Sequence, residues 1–164
     1  EISACLVGSE MCIRDRDYNK FPTALCEMAE KYIKENKPSL VAICFDNPDH
    51  VGHKEGHDTP AYYSKLEELD GYIARIVAAV KEAGMYDDTI FIITSDHGGI
   101  KKGHGGKTMA EMQTPFIIAG KNIKKAGEFQ ESMVQYDVAA TMAYIFGLEQ
   151  PQVWTGCAMK QVFK

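Results

Sequence analysis

The stretch TIFIITSDHGG, residues 89–99, joins a run of apolar residues to an acid, a histidine and two glycines. The apolar part, Thr89 to Thr94, is short and rich in isoleucine, which predicts a buried β-strand. A second such run, Ser39 to Phe45, is followed by the sequence DNPD at residues 46–49. Because ligands of open α/β sheets bind beyond the carboxyl ends of the strands, both acidic clusters fall where a site is expected.

Helical patterns flank these two strands. Apolar residues recur at helical spacing from Phe21 to Asn36 and again from Thr59 to Gly84, each time with a proline in the first turn. A third strand is predicted at Pro115 to Ala119, and a last helix at Val138 to Phe146 with Asp137 as its cap. This alternation predicts an α/β fold, with a mostly parallel sheet flanked by helices.

The composition limits the classes of partner. With 45% hydrophobic and 25% charged residues, the 164-residue chain has the balance of a globular domain. Its net charge of -5 argues against non-specific binding to nucleic acid. No apolar run approaches the roughly 20 residues that span a bilayer, so no membrane segment is predicted. Five cysteines without CxxC spacing indicate neither a disulfide framework nor a thiolate zinc site: Cys5, Cys12, Cys26, Cys44 and Cys157.

All five histidines lie between His50 and His104, and acidic residues stand among them. Imidazole and carboxylate groups are a good ligand set for zinc, and loops anchored on strands commonly carry such ligands. Asp49 and His53 are four residues apart, so one helical turn would bring both to the same side. Gly52 between them would allow the backbone to approach a metal closely. This spacing predicts a metal site.

Asp96 and His97 leave the end of the second strand together, and His104 follows on a glycine-rich loop. The simplest alternative for Asp96 is a capping residue in a turn after the strand. A single loop histidine is more often an exposed surface residue, and this is the interpretation for His50 and His57. The clustering favours metal binding for the other three histidines.

Three ordered motifs resemble those of the alkaline phosphatase superfamily, most closely its type I phosphodiesterase and nucleotide pyrophosphatase branch. The resemblance extends from Phe21 to about Phe163 and implies an alkaline-phosphatase-like sheet. By the family's pattern, one zinc ion would be held by Asp49, His53 and His104, and a second by Asp96 and His97. The matching segments are DNPDHVGH at 46–53, SDHG at 95–98 and GHGGKT at 103–108, followed by Glu111 and Thr114-Pro115.

The resemblance also implies an activity. The resemblance implies an enzyme that hydrolyses phosphodiester or nucleotide pyrophosphate bonds of small phosphorylated or nucleotide-type substrates. Such an enzyme would use two Zn²⁺ ions and form a covalent intermediate on a Thr or Ser. Nothing between Glu1 and Leu40 matches the family's nucleophile or its further metal-binding Asp. We therefore expect residues 17–164 to be the C-terminal part of one catalytic domain whose N-terminal sheet strands are missing, and to be inactive alone.

A separate expectation concerns the origin of the first sixteen residues. Residues 1–16 resemble a translated sequencing-adapter tail, so they are expected to be an artefact or a disordered tail. The true N-terminus is then expected outside this chain, and the family resemblance implies a periplasmic or secreted location.

Other functions remain open at this point. A phosphomonoesterase or phosphomutase of the same superfamily would differ mainly in parts that the motifs do not cover. In sulfatases the expected metal site binds calcium through Asp and Asn ligands. Three histidine ligands fit zinc better than that hard cation. From a different class, the chain could be a non-catalytic metal-binding or interaction domain.

Overall fold

The structure, a computed structural model, describes residues 3–7, 10–14, 22–125, 127–128 and 130–164. These residues group into two compact units, Glu1–Thr89 with His97–Gln113 and Ile90–Asp96 with Thr114–Lys164. The elements in chain order are β1 Ser3–Val7, β2 Glu10–Arg14, α1 Pro22–Asn36, β3 Leu40–Cys44, α2 Asn47–Glu55, α3 Pro60–Glu82, β4 Ile90–Thr94, α4 Met109–Met112, β5 Phe116–Gly120 and α5 Asp137–Ile145.

The first unit combines a three-stranded sheet with helices α1, α2 and α3. The strand order is β1-β2-β3, with β1 antiparallel and β3 parallel to β2. Leu25 and Ala29 of α1 are fully buried, and Ile43 and Phe45 from the end of β3 pack against them. Arg75 of α3 donates two hydrogen bonds to the Glu30 carboxylate of α1, at 2.8 and 3.0 Å. Apolar packing and this ion pair hold α1 against its neighbours.

Local signals determine where α3 begins and ends. The Thr59 hydroxyl accepts a hydrogen bond from the Tyr62 amide at 3.3 Å, and Pro60 occupies the first helical position. At the other end, Gly84 adopts a φ of +72°, which ends the helix at little steric cost. The predicted helix between Thr59 and Gly84 is therefore confirmed.

The second unit contains the antiparallel pair β4–β5 and helix α5. In this pair Ile92 lies opposite Ile118. Its core is formed by Ile123, Met159 and Val162, and Ile118 packs against it. Asp137 is the first residue of α5 rather than its cap, which corrects the prediction. Its buried carboxylate instead accepts hydrogen bonds from two loop amides, Val134 N at 2.9 Å and Cys157 N at 2.7 Å.

The α/β class and the positions of α1, β3, α3, β4, β5 and α5 are as the sequence predicts. Two details differ. Among the described strand pairs only β2–β3 is parallel, so the sheets are mixed rather than mostly parallel. The strands β3 and β4 are half-buried rather than buried, since each has one described strand neighbour. Residues 3–7 and 10–14 pair as strands through backbone hydrogen bonds, whereas the expectation of an artefact or a disordered tail for residues 1–16 stays a prediction.

The structure also bears on the membrane expectation. None of the helices in the described part of the chain is long and apolar enough to cross a membrane.

Candidate metal centre

Helix α2 carries the first two candidate ligands. Pro48 lies in its first turn, where its missing amide hydrogen costs no helical bond, and the helix extends to Glu55. Asp49 and His53 are therefore one turn apart on the same face, with His53 Nε2 at 3.5 Å from Asp49 Oδ2. The four-residue spacing in the sequence thus brings these two side chains together, as predicted.

The third candidate ligand follows a tight turn. Ile100 and Gly103 exchange two backbone hydrogen bonds, at 2.9 and 3.1 Å, and Lys101 between them adopts a φ of +52°. The turn leads directly to His104, whose Nε2 lies 3.1 Å from His53 Nε2 and 3.4 Å from Asp49 Oδ1. One ligand atom from each of these three side chains lies within 4.8 Å of the other two.

These distances fit a metal ion. Tetrahedral zinc with ligand distances of about 2.0–2.2 Å places neighbouring ligand atoms about 3.3–3.6 Å apart, close to the observed separations. Asp49 provides an independent indication: its side chain is 39% exposed overall, yet Oδ1 is buried and has no hydrogen-bond partner. A buried carboxylate oxygen without a partner is costly, and a cation at this position would satisfy it. The residues present therefore fit a bound divalent cation.

Two backbone carbonyls orient the imidazole rings. His53 Nδ1 lies 3.0 Å from Lys102 O, and His97 Nδ1 lies 2.8 Å from Gly98 O. Because a carbonyl oxygen can only accept, each Nδ1 must carry the proton and donate it. In the neutral form of each ring Nε2 then carries the lone pair that can bind a metal, the arrangement usual for histidine ligands.

His97 joins this cluster. Its ring stacks on that of His104, with centroids 3.7 Å apart and planes inclined by 21°, and its Nε2 lies 4.0 Å from Asp49 Oδ1. The structure thus brings together four of the five predicted ligands. Asp96 follows β4 in the second unit and precedes His97 in the chain. Its assignment with His97 to a second metal stays a prediction.

Glu111 fixes the loop that carries His104. Its carboxylate accepts hydrogen bonds from the Gly106 amide at 2.9 Å, and from the Thr108 hydroxyl at 2.6 Å and amide at 3.3 Å. These donors, the Thr108 hydroxyl foremost, hold the pKa of Glu111 below its usual value. The resemblance included Glu111 without a role, but the Thr-x-x-Glu pattern at 108–111 is a capping-box signal that predicts the start of α4.

The two remaining histidines differ from each other. His50 was interpreted as an exposed loop residue, but it lies on α2, is half-buried, and lines a groove of about 400 Å³ with Val51 and Tyr72. His57 was also interpreted as an exposed loop residue, but it is half-buried and its Nδ1 lies 3.1 Å from Lys101 O. No local pattern in the sequence indicates this contact, because the partners are 44 residues apart.

Comparisons with known proteins identify the family of this chain. The family described as type I phosphodiesterase / nucleotide pyrophosphatase matches residues 11–135. The chain is 28% identical over 142 residues to the human GPI ethanolamine phosphate transferase 2, catalytic subunit, covering 83% of this chain and 14% of that protein. It is 33% identical over 140 residues to the 2,3-bisphosphoglycerate-independent phosphoglycerate mutase of Vibrio vulnificus, covering 82% and 26%.

Solved structures show the same fold. A phosphoglycerate mutase from Leishmania mexicana aligns with a TM-score of 0.61 at 24% identity, over 87% of this chain and 30% of that one. A 2-O GAG sulfatase aligns with a TM-score of 0.61 at 15% identity, over 84% and 44%. The chain spans less than a third of the length of both curated relatives. Since the family model covers well over half of its residues, the chain belongs to the type I phosphodiesterase / nucleotide pyrophosphatase family, within the alkaline phosphatase superfamily.

Proposed function

We propose that this chain forms part of a zinc-dependent enzyme that cleaves phosphodiester or nucleotide pyrophosphate bonds. The observation that carries the proposal is the convergence of Asp49, His53 and His104, with Asp49 Oδ1 buried and lacking a hydrogen-bond partner. Family membership supports chemistry at phosphorus. The relatives named above transfer or move phosphate-containing groups according to their names, which agrees with this choice.

The proposal assigns a role to each candidate ligand. Asp49, His53 and His104 would hold one zinc ion, and Asp96 with His97 would contribute to a second. When bound, the zinc pair would stabilise charge on the phosphoryl oxygens and favour attack by a Thr or Ser hydroxyl, expected upstream, to give the covalent intermediate. The carbonyls of Lys102 and Gly98 accept hydrogen bonds from Nδ1 of His53 and His97, so the neutral form of each ring would present Nε2 to the metal.

Charge near the site favours an anionic substrate. Three lysines flank His104 in the sequence, at positions 101, 102 and 107, although the chain as a whole carries a net charge of -5. The side chains of Lys101 and Lys107 are exposed, and Lys102 Nζ donates to Lys54 O at 2.7 Å. Their positive field would attract a small phosphorylated or nucleotide-type substrate.

The test uses the full-length protein in which these residues occur. We expect about two zinc ions per chain by elemental analysis, with less zinc after His53→Ala or His97→Ala, whereas His50→Ala retains the full content. A folded, metal-free wild-type protein would contradict the proposal. We also expect faster cleavage of bis-p-nitrophenyl phosphate than of p-nitrophenyl phosphate or p-nitrophenyl sulfate.

A phosphomonoesterase or phosphomutase is the second candidate, favoured by the 33% identity to the Vibrio vulnificus mutase. Faster turnover of the monoester in the same assay would select this candidate over the diesterase. Faster turnover of the sulfate ester would select a sulfatase, although the three histidines of the cluster fit zinc better than calcium.

A further inference from the structure

We propose that His57 is a positioning residue, which keeps α2 and the segment 97–104 at the spacing that allows the candidate ligands to converge. The inference rests on the proposed function, since the metal ion is the group that this spacing serves. All the residues that carry it belong to the first unit.

His57 forms two hydrogen bonds to the turn that precedes His104. Its backbone amide donates to Lys101 O at 2.6 Å, and its Nδ1 donates to the same oxygen at 3.1 Å. Lys101 adopts a φ of +52°, a left-handed conformation that is unfavourable for a residue with a side chain. The two hydrogen bonds from His57 help to hold the turn in this conformation.

The His57 ring also fills a gap between two glycines. A Cβ atom added to Gly52 or to Gly99 would lie within 3.0 Å of the ring atoms Nε2, Cε1 and Cδ2. Gly52 immediately precedes the candidate ligand His53, and Gly99 follows His97 by two residues. The ring therefore acts as a spacer between the backbones that carry His53 and His97.

The same turn orients His53. The carbonyl of Lys102, next to that of Lys101, accepts the hydrogen bond from His53 Nδ1 at 3.0 Å. One short turn thus connects the ring of His53, the ring of His57 and the backbone that leads to His104. His57 itself is outside the ligand cluster found among the described residues, and its ring centroid lies 6.4 Å from that of His53.

The experiment measures Co²⁺ binding to the full-length protein in which these residues occur, by visible absorption and with no activity assay. We expect His57→Ala to weaken Co²⁺ binding about 10- to 100-fold, the range typical for residues that orient metal ligands. His57→Asn keeps an amide donor near the position of Nδ1 and should recover part of the loss. His50→Ala, which removes a histidine from α2 away from the turn, is the matched control and should bind like wild type. Wild-type affinity in His57→Ala would overturn the inference.

A second readout separates this inference from the proposed function. In the metal-free wild-type protein, imidazole ¹⁵N chemical shifts should show His53 protonated at Nδ1, because Nδ1–H donates a hydrogen bond to Lys102 O. We expect His57→Ala, and to a smaller degree His57→Asn, to show a mixture of both tautomers. If neither wild type nor any variant binds Co²⁺, the metal proposal fails, but the ¹⁵N chemical shifts still test the role of His57. An unchanged His53 tautomer in His57→Ala would refute the positioning role of His57. If circular dichroism shows that His57→Ala does not fold, the Co²⁺ affinity and the His53 tautomer of His57→Asn test the inference instead.

Discussion

Nε2 of His53 and Nε2 of His104 lie 3.1 Å apart, although 51 positions separate the two residues in the chain. Both atoms also face the carboxylate of Asp49, at 3.5 Å from Oδ2 and 3.4 Å from Oδ1 respectively. Two imidazolium groups at this distance would repel each other, so the arrangement requires at least one neutral ring. A cation among the three side chains would remove the need for any shared proton, and its binding should release protons.

Replacing Asp49 by asparagine tests the role of this carboxylate. In the metal-free chain Asp49→Asn removes the charge of a carboxylate whose buried Oδ1 lacks a hydrogen-bond partner, so the melting temperature of the variant should equal or exceed that of wild type. At a hundredfold excess over Kd, zinc should raise the free energy of unfolding of wild type by about 2.7 kcal/mol and so raise its melting temperature, whereas the melting temperature of the variant should not change. Glu55→Gln, at the other end of α2, is the control and should respond to zinc like wild type. An equal response to zinc in Asp49→Asn would contradict the ligand assignment.

The stability of the loop after His104 should depend on pH, because the ionised carboxylate of Glu111 accepts the hydrogen bonds that hold this loop. The pKa of Glu111 is lowered in the folded chain by the hydrogen bonds from Thr108 and Gly106, so its stabilising contribution is present above its unfolded pKa and is lost as the pH falls through the lower folded value. The amide resonance of Gly106, which donates to Glu111, should therefore titrate with a midpoint below 4.5, the ordinary value of the carboxyl group. The Glu111→Gln variant should lack this transition. A midpoint at or above 4.5 would show that the hydrogen bonds do not persist in solution.

Asp137 should stabilise the second unit. The residue is 7% exposed, and its carboxylate accepts hydrogen bonds from the amides of Val134 and Cys157. Asp137→Ala leaves both amides without an acceptor, and we expect the free energy of unfolding to fall by about 2–4 kcal/mol. The exposed Glu149→Ala substitution is the control, with an expected change within about 0.5 kcal/mol. Urea denaturation measures both, and equal midpoints would refute the structural role of Asp137.

Local sequence signals determined the secondary structure and part of the site. Apolar periodicity placed α1 and α3, and short apolar runs placed β3 and β4, because side-chain spacing follows helix and strand geometry directly. The pairing of Asp49 with His53 is of the same kind, since residues four apart on a helix share one face. The sequence motifs alone also indicated the family.

Tertiary structure decided the remainder. The antiparallel pairing of β4 with β5, the stacking of His97 on His104 and the insertion of His57 between Gly52 and Gly99 all join distant parts of the chain. No periodicity encodes such contacts, because they depend on turn conformations, such as the positive φ of Lys101, and on the space that neighbouring backbones leave. The sequence by itself determined which side chains are available to bind a metal ion. Folding determined how close their ligand atoms come, since only packing between separate segments brings His104 to within 3.1 Å of His53.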